Sequence, residues 1–233
     1  MSDKGRVLQN SIANETIQII NKPIGVTAGI VPWNAPILVL MRKVIPAIVT
    51  GCSVVIKPSE ETTLLTLRLA ELFRASTIPA GLIQIVPGTG ETVGTQLASH
   101  KDIQLISLTG SMRAGKSVYE NAAQTVKKVN LELGGNAPVI VTSNADLDKA
   151  VNYIVTARIN NAGKVCTCPE RIFVHEDVHD DFLNKVTSKM KSLTVGDPFD
   201  ENTDYGAIIN QKQLDSIHAV SYTHLRAHET VLD

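Results

Sequence analysis

The chain has 233 residues, 43% hydrophobic and 19% charged, with a formal net charge of -1 at pH 7. That length can bury a sizeable core in one large domain or two modest ones, and the near-neutral balance gives no electrostatic reason to expect nucleic acid or an anionic membrane as partner, which leaves a small molecule. The three cysteines, Cys52, Cys166 and Cys168, suit neither a disulfide framework nor a zinc knuckle and point to a reducing, cytoplasmic compartment.

Short β-branched runs alternate with helical patterns along the chain, the organisation of an α/β protein with a mainly parallel sheet. In chain order, residues 1–15 lack the apolar centre of a secretory signal, and two extended stretches at 6–11 and 16–22 predict a hairpin outside the main sheet. Strands are predicted at 26–31, 53–57, 83–86, 104–109, 128–133, 138–142 and 171–175. Helices are predicted at 37–50, 62–75, 92–99, 112–123, 145–160 and 178–193, several ended by Gly51, Gly81 or Gly163. The most apolar run, within the first of these helices, is interrupted by Arg42 and Lys43 and is too short to cross a bilayer.

Two residues carry the chemistry that oxidation of an aldehyde to an acid requires, a thiol nucleophile and a carboxylate base. Cys166 lies just after Gly163, where a predicted helix gives out, with Lys164 and Arg171 close enough in sequence to favour a thiolate. A buried structural role is the commoner fate of a cysteine, and it is the reading given to Cys52 and Cys168. Glu132 ends an apolar strand, at the mouth of a sheet where ligands bind in this class; its alternative role is to cap a neighbouring helix.

Residues Gly110 to Ser117 match the phosphate-loop pattern G-x-x-x-x-G-K-S after a strand. Backbone N–H groups at a helix N-terminus bind phosphate whichever nucleotide carries it. The magnesium-holding Asp that should end a neighbouring strand is missing, since 128–133 runs into Glu-Leu-Gly-Gly and 138–142 into Thr-Ser. Gly110 and Gly115 have a plainer reading, close helix–strand packing.

Taken together, Trp33-Asn34 within Val31 to Pro36, Lys57-Pro58-Ser59-Glu60, Leu108 to Ser111, Leu131-Glu132-Leu133-Gly134-Gly135 and Gly163-Lys164-Val165-Cys166 resemble the aldehyde dehydrogenase superfamily in order and spacing. The interval from Glu132 to Cys166, 166 − 132 = 34, is similar to the separation between base and nucleophile in that family.

The resemblance implies a Rossmann-like parallel-sheet cofactor domain plus part of an α/β catalytic domain, truncated at both ends. Residues 1–23 would be the remnant of an oligomerisation hairpin, 24–134 part of an NAD-binding domain and 135–220 the start of the catalytic domain. Residues 221–233 do not continue the family; they resemble read-through of adaptor-like sequence and are excluded from fold reasoning. His224 and His228 have helical metal-ligand spacing without the glutamate of a zinc protease, so no metal is expected.

In function, the resemblance implies NAD-dependent oxidation through a thioester on Cys166, with Asn34 and the Cys166 N–H holding the oxyanion and Glu132 activating water. Lys57 and Glu60, with Ser59 beside them, would meet the adenosine ribose, and the Glu60 carboxylate favours NAD over NADP. Gly110 and Ser111 would meet the pyrophosphate and Gly90 the adenine side, with Ile30, Pro32, Trp33, Leu133 and Gly134 lining the groove. By helical spacing Leu38, Met41 and Arg42 share one side and are candidate pocket walls. Arg42, with Val165 to Arg171 including Thr167, resembles the lactaldehyde and glycolaldehyde branch, with succinic semialdehyde as a competing substrate. Arg42 also has a surface reading, with its stem lying along the protein.

Family members form dimers or tetramers, and the truncated chain itself is expected to be inactive. Two departures from the family pattern are Asn136, where lysine is usual, and Lys164, where glutamine is usual and where an ammonium could lower the thiol pKa. Two other readings stay open, a phosphate-loop nucleotide triphosphatase and a non-catalytic protein on the same scaffold.

Overall fold

The computed structural model describes residues 5–9 and 15–229, which divide into two compact units, 1–134 and 135–233. The first begins with an antiparallel hairpin of β1 (Arg6–Gln9) and β2 (Thr16–Ile19), outside the main sheet as the sequence predicts.

The main sheet has five parallel strands: β3 (Val26–Ile30), β4 (Ser53–Lys57), β5 (Ile83–Ile85), β6 (Ile103–Thr109) and β7 (Lys128–Glu132), in the order β5-β4-β3-β6-β7. Helices α1 (Pro36–Val49) and α2 (Thr63–Ala75) cover one face, where Leu40, Val44, Val54 and Ile56 form the core. On the other face, α3 (Thr95–Ser99) and α4 (Met112–Ala123) pack around Ala28, Ala98, Ile106, Leu108 and Val118. Covered on both faces, β3, β4 and β6 read as apolar runs, whereas the edge strand β7 alternates, burying Val129 and Leu131 partly and exposing Lys128, Asn130 and Glu132.

The helix predicted at 92–99 is split. Thr89 starts a wide turn at Gly90–Gly94 by accepting a hydrogen bond from the Thr92 N–H at 3.2 Å, and α3 follows it. Gly51 closes α1 with φ +79°, a conformation that suits glycine.

The second unit carries two parallel strands, β8 (Ala137–Val141) and β9 (Pro169–Val174), joined through α5 (Leu147–Ile159). With α6 (His179–Lys191), α5 packs on one face around Val141, Val151, Ile154, Val155 and Phe182. A last helix, α7 (Gln211–Glu229), was not predicted and takes in much of the segment set aside as a tail. Its signal was present in the sequence: the Asn210 side chain accepts the Gln213 N–H at 2.8 Å, an N-terminal cap. The side chains of His224 and His228 lie outside the described residues.

Candidate active site

The carboxyl edge of the main sheet gathers most of the residues that the sequence singled out. Ile30 pairs with Lys57 on one side and Leu108 on the other, and Thr109 pairs with Glu132, so the loops leaving β3, β4, β6 and β7 start side by side. From β3 the chain turns toward β4 and β5, whereas β6 and β7 lie on its other flank. This makes the crevice between β3 and β6 the topological switch point where open α/β sheets bind ligands. Val31 to Asn34 leave one lip of that crevice and Gly110-Ser111 the other.

Along this edge, Lys57 is 2% exposed, and its ammonium is held by the Pro58 carbonyl at 2.6 Å and by Glu60 at 3.3 Å. Such burial is tolerable because the charge is paired and hydrogen-bonded. Glu60 also accepts the Gly90 N–H at 2.9 Å, joining the loops after β4 and β5. Ser59 is buried and caps the turn that holds Glu60. Trp33, Pro32 and Asn34 are half-buried. A Cβ placed on Gly90 or Gly134 meets nothing within 4 Å, which leaves backbone open to a ligand's close approach. A buried cation beside an exposed carboxylate, bare glycine backbone and a helix N-terminus at the switch point together fit a dinucleotide.

The phosphate-loop reading fails on geometry. Helix α4 begins at Met112, so residues 113–117 are already helical; the Gly115 N–H is spent on the Ser111 carbonyl at 2.9 Å and the Ser111 side chain caps the Ala114 N–H at 3.2 Å. With the Gly110 N–H on the Glu132 carbonyl at 3.0 Å as well, the stretch forms a capped helix start rather than a loop that wraps a triphosphate. Gly115 instead provides close packing: a Cβ there would lie 2.8 Å from a Leu133 methyl.

Sequence reasoning missed Lys43. Its stem crosses β3 at Gly29, where a Cβ would lie 3.0 Å from the Lys43 Cδ, and its ammonium donates to the Ser107 hydroxyl at 2.8 Å. Asn130 donates to the same hydroxyl at 3.4 Å. Burial pushes the Lys43 pKa down to about 8, while the charge of Glu132 pulls it the other way. The available signal was a lysine on the inward stripe of an apolar helix. On the same helix Leu38 and Arg42 are exposed, whereas Met41 is half-buried against the core.

In the second unit, Cys166 is exposed whereas Cys168 is buried, at 2% exposure; Cys52, in the first unit, is buried at 3%. The chain reaches Cys166 through a left-handed turn in which Asn161, Ala162 and Gly163 have φ of 49°, 53° and 72°. Side chains rarely adopt that region, and such strain clusters at functional sites. Thr167 is exposed beside the thiol, and the Cys168 N–H closes a turn on the Val165 carbonyl at 3.1 Å. The Lys164 ammonium reaches the Ala207 carbonyl at 3.3 Å, and Arg171 is engaged with the Asn136 carbonyl.

Known proteins match this combination of sheet and loops. The sequence profile of the Aldehyde dehydrogenase family matches residues 1–232, and the chain belongs to that family and has its α/β fold. It is 39% identical over 215 residues to lactaldehyde dehydrogenase of Escherichia coli strain K12, covering 92% of this chain and 45% of that protein. It is 40% identical over 208 residues to the NADP(+) succinate-semialdehyde dehydrogenase of the same organism, covering 89% and 43%. The crystal structure of betaine aldehyde dehydrogenase from Staphylococcus aureus in complex with NAD+ superposes with TM-score 0.92 at 36% identity, over 97% of this chain and 45% of that one. The chain thus spans a little under half the length of the relatives it matches.

Proposed function

We propose that the whole protein oxidises a small hydroxyaldehyde to its carboxylic acid with NAD, through a thioester on Cys166. The observation that supports this best is the shared carboxyl edge, from which Glu132 and the loop bearing Asn34 emerge on either side of the crevice flanked by Gly110-Ser111.

In this reading the Cys166 thiolate attacks the aldehyde carbon. The oxyanion of the tetrahedral adduct would be received by the Asn34 side-chain amide and the Cys166 N–H, donors whose hydrogen bonds strengthen as charge develops during the reaction. Bound NAD supplies the hydride acceptor; Lys57, Ser59 and Glu60 hold its ribose, Gly110 and Ser111 its pyrophosphate, and Gly90, Ile30, Pro32, Trp33, Leu133 and Gly134 line its groove. Glu132 then takes a proton from water, which hydrolyses the thioester to the free acid.

Glu60 supports NAD because a carboxylate at the ribose repels a 2′-phosphate. Arg42 and Thr167 are assigned to the substrate, and a guanidinium suits a short aldehyde with a hydroxyl or carboxylate. The lactaldehyde and succinate-semialdehyde relatives favour those two classes, with glycolaldehyde the shortest of the set. The exposed apolar β1–β2 hairpin is assigned to a homo-oligomer, a dimer or tetramer. The free cysteines suit the cytoplasm, and among the described residues no helix is long and apolar enough to cross a membrane. The 233-residue chain alone is proposed to be inactive.

The test completes the chain to the length of its relatives and follows NADH formation with lactaldehyde, glycolaldehyde and succinic semialdehyde, for wild type and Cys166→Ala. Turnover that falls by at least about 1000-fold in the variant is expected for a lost nucleophile. No turnover with any aldehyde, or equal turnover in Cys166→Ala, overturns the reading.

A further inference from the structure

The strands β8 and β9 meet at their N-terminal ends through two prolines, Pro138 and Pro169, neither of which brings an N–H to the ladder. The register slips there: Ala137 pairs with Pro169 but Pro138 with Arg171, so Glu170 is an extra residue on β9. The carbonyl of Asn136, just ahead of β8, is held by a side chain instead. Arg171 donates to it from Nε at 3.2 Å and from Nη2 at 2.7 Å, a two-pronged grip that a guanidinium can make and an ammonium cannot. The guanidinium also lies over the Phe173 ring, 5.9 Å from its centre.

That grip fixes more than a strand end. A Cβ placed on Gly135, the residue before Asn136, would lie 3.5 Å from the Cys166 carbonyl oxygen, so the Gly135–Asn136 stretch runs alongside the nucleophile's own carbonyl with room for no more than a methyl group between them. The turn that carries Cys166 is closed by the Cys168 N–H on the Val165 carbonyl and anchored beyond by buried Cys168 and Pro169. Between those anchors, the Cys166 carbonyl lies beside the residue that precedes the carbonyl Arg171 holds.

The geometry points to Arg171 as a positioning residue for the reaction: by gripping the Asn136 carbonyl it holds Gly135 against the Cys166 peptide and so aims the thiol and the oxyanion-binding N–H. Arg171 can have this role only if Cys166 is the nucleophile, as proposed above. It acts through backbone, which explains why Asn136 can stand where lysine is usual: the side chain at that position is not what Arg171 holds.

Arg171→Lys and Arg171→Ala are tested in the chain completed to the length of its relatives. Because a misplacement of about 1 Å in a reacting group costs on the order of 100-fold, kcat is expected to fall roughly 10- to 100-fold in both variants. The KM for NAD and the rate of Cys166 alkylation by iodoacetamide should stay within about twofold, since the thiol is exposed in either case. Added guanidinium should restore part of the kcat of Arg171→Ala and none of that of Arg171→Lys. If Arg171→Ala does not fold, Arg171→Lys decides alone, because it keeps the charge and the stem. Wild-type kcat in a folded Arg171→Lys, or a fall in kcat that follows a fall in thermal stability without rescue, overturns the positioning role. Retained turnover in Cys166→Ala instead removes the nucleophile on which the role depends, so the two failures are told apart.

Discussion

The two units hold parallel strands in contrasting surroundings. In the first, β3, β4 and β6 are covered on both faces, and Ile56, Leu40 and Ile106 are wholly buried. In the second, α5 and α6 cover one face of the β8–β9 pair, while Ile140 on the other is 76% exposed and Phe173 is 54% exposed. Parallel sheets ordinarily bury both faces because their crossover helices lie on each side. The edge that gathers the proposed cofactor residues thus belongs to the unit buried on both faces, and the proposed nucleophile to the unit packed on one. A strained turn persists only where its surroundings over-determine it, a task that falls here to the buried anchors Cys168 and Pro169.

The largest expected effect sets the two units against each other. Ile56→Ala removes a fully buried side chain from the five-stranded sheet and should cost about 2–5 kcal/mol, whereas Phe173→Ala should cost less than about 1 kcal/mol. Urea unfolding of the 233-residue chain, with hydrogen exchange read separately over 26–132 and 137–191, checks this; equal losses would mean that the β8–β9 pair is as well packed as the main sheet.

A second contrast is electrostatic. Lys43, in the packed unit, has a pKa near 8 when folded against an ordinary 10.5 unfolded. Between those values the unfolded chain binds more protons, so wild-type stability should rise as pH goes from 8 to 10.5 and carry a constant penalty below 8. Lys43→Met should be more stable than wild type at pH 7 and lose that slope. A flat wild-type profile across the same range would show that the ammonium is better solvated than its seat between Ser107 and Glu132 implies.

How much of this was legible in the sequence follows the same division. The five strands of the main sheet and helices α1, α2 and α4 were found within a residue or so because apolar runs, glycine stops and caps all agree there, and Met112–Ala123 was read to the residue, whereas the helix predicted at 92–99 begins only at Thr95. The site's members were legible as motifs, yet Lys43 was not, because its meaning lies in Gly29 and Ser107, residues far from it along the chain that only the sheet brings near. The phosphate-loop match misled for a related reason: the letters fit, but Ser111 starts the helix too early for the loop to exist. In the second unit, Arg171 was read as a neighbour of the thiol by sequence distance, whereas the register slip at Pro138 and Pro169 turns it toward Asn136.

The smallest effects concern the non-glycine residues with left-handed backbone, and they sharpen the comparison most. Val126, in the first unit, has φ 51° and is 89% exposed at the end of α4, a place where glycine is the common residue. Ala162, in the second, has φ 53° in the turn leading to Cys166. Glycine at either position relieves strain of order 1 kcal/mol and gives part of it back as extra freedom of the unfolded chain, so each variant should gain up to about 1 kcal/mol. Their consequences for chemistry should diverge. Val126→Gly should leave Cys166 alkylation unchanged, because the two residues belong to separate compact units. Ala162→Gly loosens three successive left-handed residues, and the alkylation rate of Cys166 should change with it while stability rises. If Ala162→Gly gains stability with no change at Cys166, the strain beside the nucleophile is an accident of chain geometry, as it is at Val126; if reactivity shifts, the left-handed turn sets the position of the thiol.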